Sequence, residues 1–336
     1  MRRSAPKLEG ARPLTPGHPF RARFSKLVVV FSGLAIAAIA ATLTVGSTAS
    51  AGHATPAAAK QYVFVFVQFP PSEGEFPDAV WEVSGDGHAV RAVIPSNSDD
   101  DPSAVRWSPD GTTLAMSGIY PGSGQTNVLL LTDPNGGHRR EIDGKGACWD
   151  ELCWLPDNRS IACTYGRRIR IIDTQSGRSR VLRIPLKSGQ ANASLNAIDW
   201  SPNGDRFAVD DDADGIDLAS ASGRVLATTS KQGSWPRWSP DGKHILFIEP
   251  ATSGDTIVIA DPTGKHRRVV ISTPVFDAAA SAAWSPDGES IAYIGQNGLH
   301  LVDLQTGTDR MLNRLAKICG PNPQPGCADL DWRAAG

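Results

Sequence analysis

An all-β fold, a six-bladed β-propeller of four-stranded antiparallel blades, is what this 336-residue sequence predicts, and three observations predict it. A Trp-Ser-Pro-Asp-Gly pentad or a close variant recurs at Trp107, Trp154, Trp200, Trp238 and Trp284, and a bare Asp331-Trp332 stands near the end. The tryptophans are spaced 47, 46, 38, 46 and 48 residues apart, the interval at which four short strands make one propeller blade. Three strand-like runs precede the first pentad and one follows the last, so the two ends together supply a sixth blade.

Residues 1–26 carry seven Lys/Arg against one acid, Glu9, and Leu27–Val45 then runs without a charge to small residues ending Ala49-Ser50-Ala51. A basic region, an apolar run and an Ala-x-Ala end read as a secretory signal, with cleavage expected after Ala51 or Ala54. The other reading is an uncleaved anchor, the only contact with a membrane that is expected. Both place the rest of the chain outside the cytoplasm: secreted, periplasmic or on the cell surface. The expected organisation is signal or anchor over 1–51, linker over 52–60 and propeller over 61–336. Without residues 1–51 the chain holds 26 Lys+Arg against 34 Asp+Glu, a net charge of −8. Phosphate backbones need a basic footprint, so nucleic acid is excluded as a partner.

The runs Tyr62–Gln68, Val80–Val83 and Ala89–Ile94 are the three strands that open the chain. Each pentad is followed by an apolar run such as Thr113–Met116 or His244–Ile248, and then by a second, such as Val128–Leu131 or Ile257–Ala260. A Gly turn (Asp-Pro-Asn-Gly136, Asp-Pro-Thr-Gly264) and a basic or mixed strand close the unit. Asp329–Trp332 completes the opening blade, and closure leaves no long exposed edge. Within the pentad the Trp packs between blades, Pro sets φ, Asp bonds its own backbone and Gly takes φ > 0. Trp107, Trp154, Trp200, Trp238, Trp284 and Trp332 are therefore structural, and so are the Ser and Asp beside them.

Gly288-Glu-Ser-Ile291-Ala-Tyr293 and Gly298-Leu-His-Leu-Val302-Asp303-Leu-Gln-Thr-Gly307 complete a unit that resembles the TolB-type, WD40-like propeller repeat. The resemblance covers about residues 60–334. The second repeat departs from it, with Leu155 for Ser and Asn158 for Gly. The resemblance implies an extracytoplasmic propeller that serves as an interaction platform. Between Ala51 and Gln61 there is no room for the α/β domain that precedes the propeller in the family's namesake, so a Tol–Pal role is not expected.

Related propellers in prolyl-oligopeptidase-type peptidases carry a hydrolase domain, and no Gly-x-Ser-x-Gly elbow occurs here. Asp210-Asp211-Asp212-Ala213-Asp214-Gly215 begins like a calcium loop, with Asp210, Asp212 and Asp214 as ligands. The twelfth position is Ala221, where a bidentate Glu belongs, and an acidic hairpin is the simpler reading. No cofactor is implied beyond that Ca²⁺. His88, His138 and His266 follow Gly turns in different blades and read as an echo of the repeat. Five cysteines in an exported chain favour disulfides: Cys319–Cys327, and Cys148 with Cys153, with Cys153–Cys163 left open. The loops expected on one face place Trp149, Trp235 and Asp99-Asp100-Asp101 where a protein partner would bind. Arg106, Asp199, Arg237 and Asp331, each just before a repeat Trp, are expected to flank the central channel as ion pairs. The leading functional expectation is a non-catalytic protein-binding scaffold. The alternative is an enzyme acting on a carbohydrate or lactone at the channel mouth.

Overall fold

A computed structural model describes residues 62–68, 79–95, 101–119, 127–143, 148, 151–185, 194–211, 215–252, 254–275, 282–295, 298–313, 315–319 and 327–334. The expected signal or anchor and the linker lie outside these residues. Among the described residues no helix is long and apolar enough to cross a membrane.

Six four-stranded sheets form the ring. The first blade combines β1 (Tyr62–Gln68), β2 (Ala79–Ser84) and β3 (Val90–Ile94) with the last strand of the chain. The second holds β4 (Asp101–Trp107), β5 (Leu114–Ile119), β6 (Asn127–Thr132) and β7 (Arg140–Asp143). The third holds β8 (Leu152–Trp154), β9 (Ser160–Tyr165), β10 (Arg168–Asp173) and β11 (Ser179–Arg183). The fourth runs through β12 (Leu195–Trp200), β13 (Arg206–Asp211), β14 (Gly215–Ser220) and β15 (Val225–Ser230). In the fifth are β16 (Ser234–Trp238), β17 (Ile245–Ala251), β18 (Gly254–Ala260) and β19 (Arg268–Val275). The sixth has β20 (Ala282–Trp284), β21 (Ser290–Gly295), β22 (Gly298–Asp303) and β23 (Asp309–Asn313), followed by the short helix α1 (Ala316–Cys319). The closing strand β24 (Cys327–Ala334) returns to pair antiparallel with β1, Phe64 opposite Trp332.

The strands ending in a repeat Trp are the innermost of each blade, and β24 takes that place in the first blade. All six tryptophans are buried; five end their strands, and Trp332 lies two residues before the end of β24. Trp154 and Trp284 donate Nε1–H to the backbone oxygens of Arg106 and Arg237, at 3.2 and 3.0 Å, linking neighbouring blades. Arg333 lies 4.6 Å over Trp107 and Arg206 5.4 Å over Trp238, each reaching from the preceding blade. Trp332 stacks on Phe64 at 4.7 Å, so the seam that closes the ring is itself a packed aromatic pair.

The pentad works as a hairpin device. Ser108 Oγ donates to Asp110 at 2.6 Å and accepts from the Thr113 amide at 3.0 Å, and Ser239–Asp241 and Ser285–Asp287 repeat the arrangement. Gly111 sits at φ 69°, and Asn158 takes φ 54° at the variant repeat, a conformation that Asn tolerates among residues with side chains. After the Gly turns, His138 and His266 pair with the aspartates of their own turns, Asp133 at 2.6 Å and Asp261 at 2.8 Å. These contacts are local to each blade, as the repeat requires.

Two disulfides are present. Cys319–Cys327 (Cα–Cα 5.2 Å) ties the helix after the sixth blade to the start of the closing strand. The second joins Cys148 to Cys163 (Cα–Cα 5.4 Å) and leaves Cys153 a buried free thiol, which corrects the expected Cys148–Cys153 pair. The reason is the strand's alternation. Leu152 faces Cys163 and Cys153 faces Ala162, so Cys153 projects to the opposite side of the sheet from the other two. Two disulfides fit an oxidising, extracytoplasmic compartment.

Candidate functional site at the ring axis

The inner strands bring charged side chains from five blades to the axis of the ring. Arg106 of β4 and Arg237 of β16 come from opposite sides of it, and both are almost fully buried. Arg106 Nη2 donates to both Glu151 oxygens at 2.9 Å, and Arg237 Nη2 donates to Glu151 Oε1 at 3.2 Å. Asp329 of β24 also pairs with Arg106, and its carboxylate lies 3.8 Å from Arg237. Four blades thus meet in one ion cluster.

The carboxylates have a second task. The inner strand of every blade has a free edge toward the axis, whose amides water would otherwise have to satisfy. Asp331 accepts the Trp107 amide at 2.7 Å, Asp199 accepts the Trp238 amide at 2.6 Å, and Asp329 accepts the Val105 amide. Each of these bonds crosses from one blade to another.

The electrostatics follow from burial. Two guanidinium groups can balance two carboxylates, but four carboxyls are present. Burial pushes Glu151 well above the usual carboxylate range, against the pull of Arg106. Asp329 is raised for the same reason and against the same pull. Burial pushes Asp199 up to about 7 despite the Trp238 amide, and Asp331 up to about 6 despite Arg106. Arg106 stays firmly charged: burial opposes its charge, and Asp329 and Glu151 outweigh burial. The Cys153 thiol, next to this cluster, is raised well above its normal range, first by burial and then by Asp199.

The structure therefore brings together Arg106, Asp199, Arg237 and Asp331, the four residues that sequence places before a repeat Trp. Glu151 and Asp329, three residues before Trp154 and Trp332, were missed. The other sequence candidates fall elsewhere. Asp99, Asp100, Trp149, Asp212 and Asp214 lie outside the described residues. Asp101 is half-buried as the first residue of β4, where a loop was expected. Trp235 is no loop residue: it sits within β16 at φ 56°, half-buried against the cluster that includes Leu246 and Ile248. Asp210 is buried and accepts the Trp235 amide at 3.3 Å. Among the described residues, no three His, Cys, Asp or Glu are grouped to hold a metal ion.

Comparison with solved structures places this architecture. The chain is similar to TolB from Acinetobacter baumannii, with a TM-score of 0.62 at 18% identity over 80% of this chain and 66% of TolB. This is a TolB-like propeller. It is also similar to a putative 6-phosphogluconolactonase from Bacteroides fragilis NCTC 9343, with a TM-score of 0.53 at 13% identity over 82% of this chain and 98% of that one. At such identities the likenesses establish the fold alone. No protein-family model matches the sequence, and no curated protein is similar to it. The TolB-like propeller thus carries an axial cluster whose acids serve inter-blade bonds, and its chain spans just under two thirds of TolB's length.

Proposed function

We propose that this propeller is an exported, non-catalytic scaffold that holds a protein partner through one face of the disc. The observation that carries the reading is the state of the axial charges. Asp199, Asp329 and Asp331 are engaged with backbone amides of neighbouring blades, and both arginines are engaged with Glu151. Side chains committed to holding blades together are poorly free to bind substrate and move protons. Recognition then belongs to the connections between second and third strands and between blades, which leave the face opposite the pentad turns. Loops on a rigid ring are the usual place for such contacts.

An enzymatic reading has one observation in its favour: carboxyls with raised pKa values beside two arginines are a common mark of reactive sites. One pair of experiments separates the two. The full chain is crosslinked within the exported proteome, beside variants carrying Trp149→Ala and Asp99, Asp100 and Asp101→Ser. The scaffold reading expects a specific partner that these variants lose while their melting temperature is unchanged. Hydrolysis of sugar lactones or glycosides that Glu151→Gln abolishes would overturn it.

A further inference from the structure

The fourth strands are the outer rim of the ring, and among the described residues each pairs on one side only. Edge strands commonly carry a few charges that deter further pairing. In five blades the hairpin of third and fourth strands follows that habit, with one to three Lys/Arg against one to three Asp/Glu. Arg91 reaches Glu82 at 2.7 Å, and Arg267 reaches Glu249 at 2.9 Å. The third blade departs from it. Residues 168–183 hold five arginines and a single acid, Asp173, which Arg159 already holds at 2.5 Å.

The register sharpens the contrast. Arg168 stands directly opposite Arg183, with Tyr165 in the same row, and Arg170 stands opposite Val181 in a neighbouring row. Like charges directly across a ladder destabilise it, so stability alone does not explain this placement. Arg168, Arg178, Arg180 and Arg183 are exposed, and none of the four makes an ion pair among the described residues. Val181 is 54% exposed and Tyr165 47%, giving apolar footing between the cations.

We infer that the free edge of β11 takes an extended acidic segment of a protein partner as an added strand. The open edge offers main-chain donors and acceptors, and the arginines offer bidentate recognition of carboxylates. Side chains of an added strand alternate, so its acids would meet Arg183 on one side of the sheet and Arg180 on the other. That two-sided placement disfavours a flat anionic membrane, which could touch one side only. Because the exported part of the chain is acidic overall, an acidic segment is repelled elsewhere and steered to this rim. The rim is separate from the loop face proposed above, and either surface can fail its test without the other.

The test uses the full chain and a fluorescent synthetic peptide of about eight residues with Glu at every third position and Val between, which puts acids on both faces of a strand of ordinary length. Three comparisons accompany it: the same peptide N-methylated at alternate residues, anionic phosphatidylglycerol vesicles, and the double variant Arg180→Ser, Arg183→Ser. The parent peptide should bind, and both N-methylation and the double variant should weaken it by at least about tenfold. Arg310→Ser, on the rim of the sixth blade, should leave binding unchanged. Arg168→Ser should hold or raise the melting temperature, which shows that the hairpin folds without its opposed pair. No peptide binding, equal binding of the N-methylated peptide, or arginine-dependent binding of the vesicles in place of the peptide would each overturn the inference.

Discussion

Asp199→Asn should flatten the pH dependence of stability above pH 5. The carboxyl is raised from 3.8 to about 7 by burial, so the folded state holds a proton that the unfolded state releases. A raised folded pKa contributes stability that is fully present below the unfolded value and is lost as pH rises through the folded one. The window therefore runs from about pH 4 to about pH 7, and its full worth is about 4 kcal/mol at 1.36 kcal/mol per unit. The group is half-buried, and solvent screening brings that full worth to about 2–3 kcal/mol, of which about 1–2 kcal/mol falls between pH 5 and pH 8. Asn keeps an oxygen to accept the 2.6 Å bond from the Trp238 amide but has no charge to desolvate. At pH 8 the variant should melt about 5–10 °C above the wild type, and at pH 5 only slightly above it. Calorimetry on both proteins from pH 5 to pH 8 checks this. If Asp199→Asn keeps the wild-type slope across that range, the carboxyl is not the buried acid described here, and the account of the axial charges fails with it.

Three further outcomes follow from the same contacts. Arg106→Ala leaves Glu151 and Asp329 without their main partner, and urea unfolding should show a loss of about 3–5 kcal/mol, much of it restored when Glu151→Leu is added. Cys319→Ser with Cys327→Ser frees the start of the closing strand and should cost about 2–3 kcal/mol by the loop-closure estimate, read as a fall in the urea midpoint. Alkylation followed by mass spectrometry should find one thiol without reductant, Cys153, and only after denaturation, with Cys148 and Cys163 in a linked peptide; a link from Cys148 to Cys153 would contradict the strand register.

How far a sequence reveals such a molecule depends on whether a feature repeats. The blades, their pentad turns and the shared first blade were legible because one indole and one Asp-Gly bend recur at a fixed interval. The position before each repeat Trp was legible too, and Arg106, Asp199, Arg237 and Asp331 do meet near the axis. The position three before the Trp carries no such echo, being Ala104, Glu151, Ala197, Trp235, Ser281 and Asp329 in chain order through the six blades. At Asp329 and Trp235 the strand also bulges, with a left-handed residue and a shifted register, and alternation cannot announce an extra residue. Cys148 precedes β8 and had no strand parity to read, so its partner was open until the sheet placed Cys163 on its side. There is a physical reason for this pattern. Guanidinium groups from two blades can neutralise carboxylates from two others only if the blades differ at that level. A six-fold repeat of one charge would meet itself across the axis at close range, at a desolvation cost that no pairing offsets. The symmetry that makes the ring readable must therefore break where charge is buried, which is why the fold is plain in this sequence and two of the six axial residues, Glu151 and Asp329, are not.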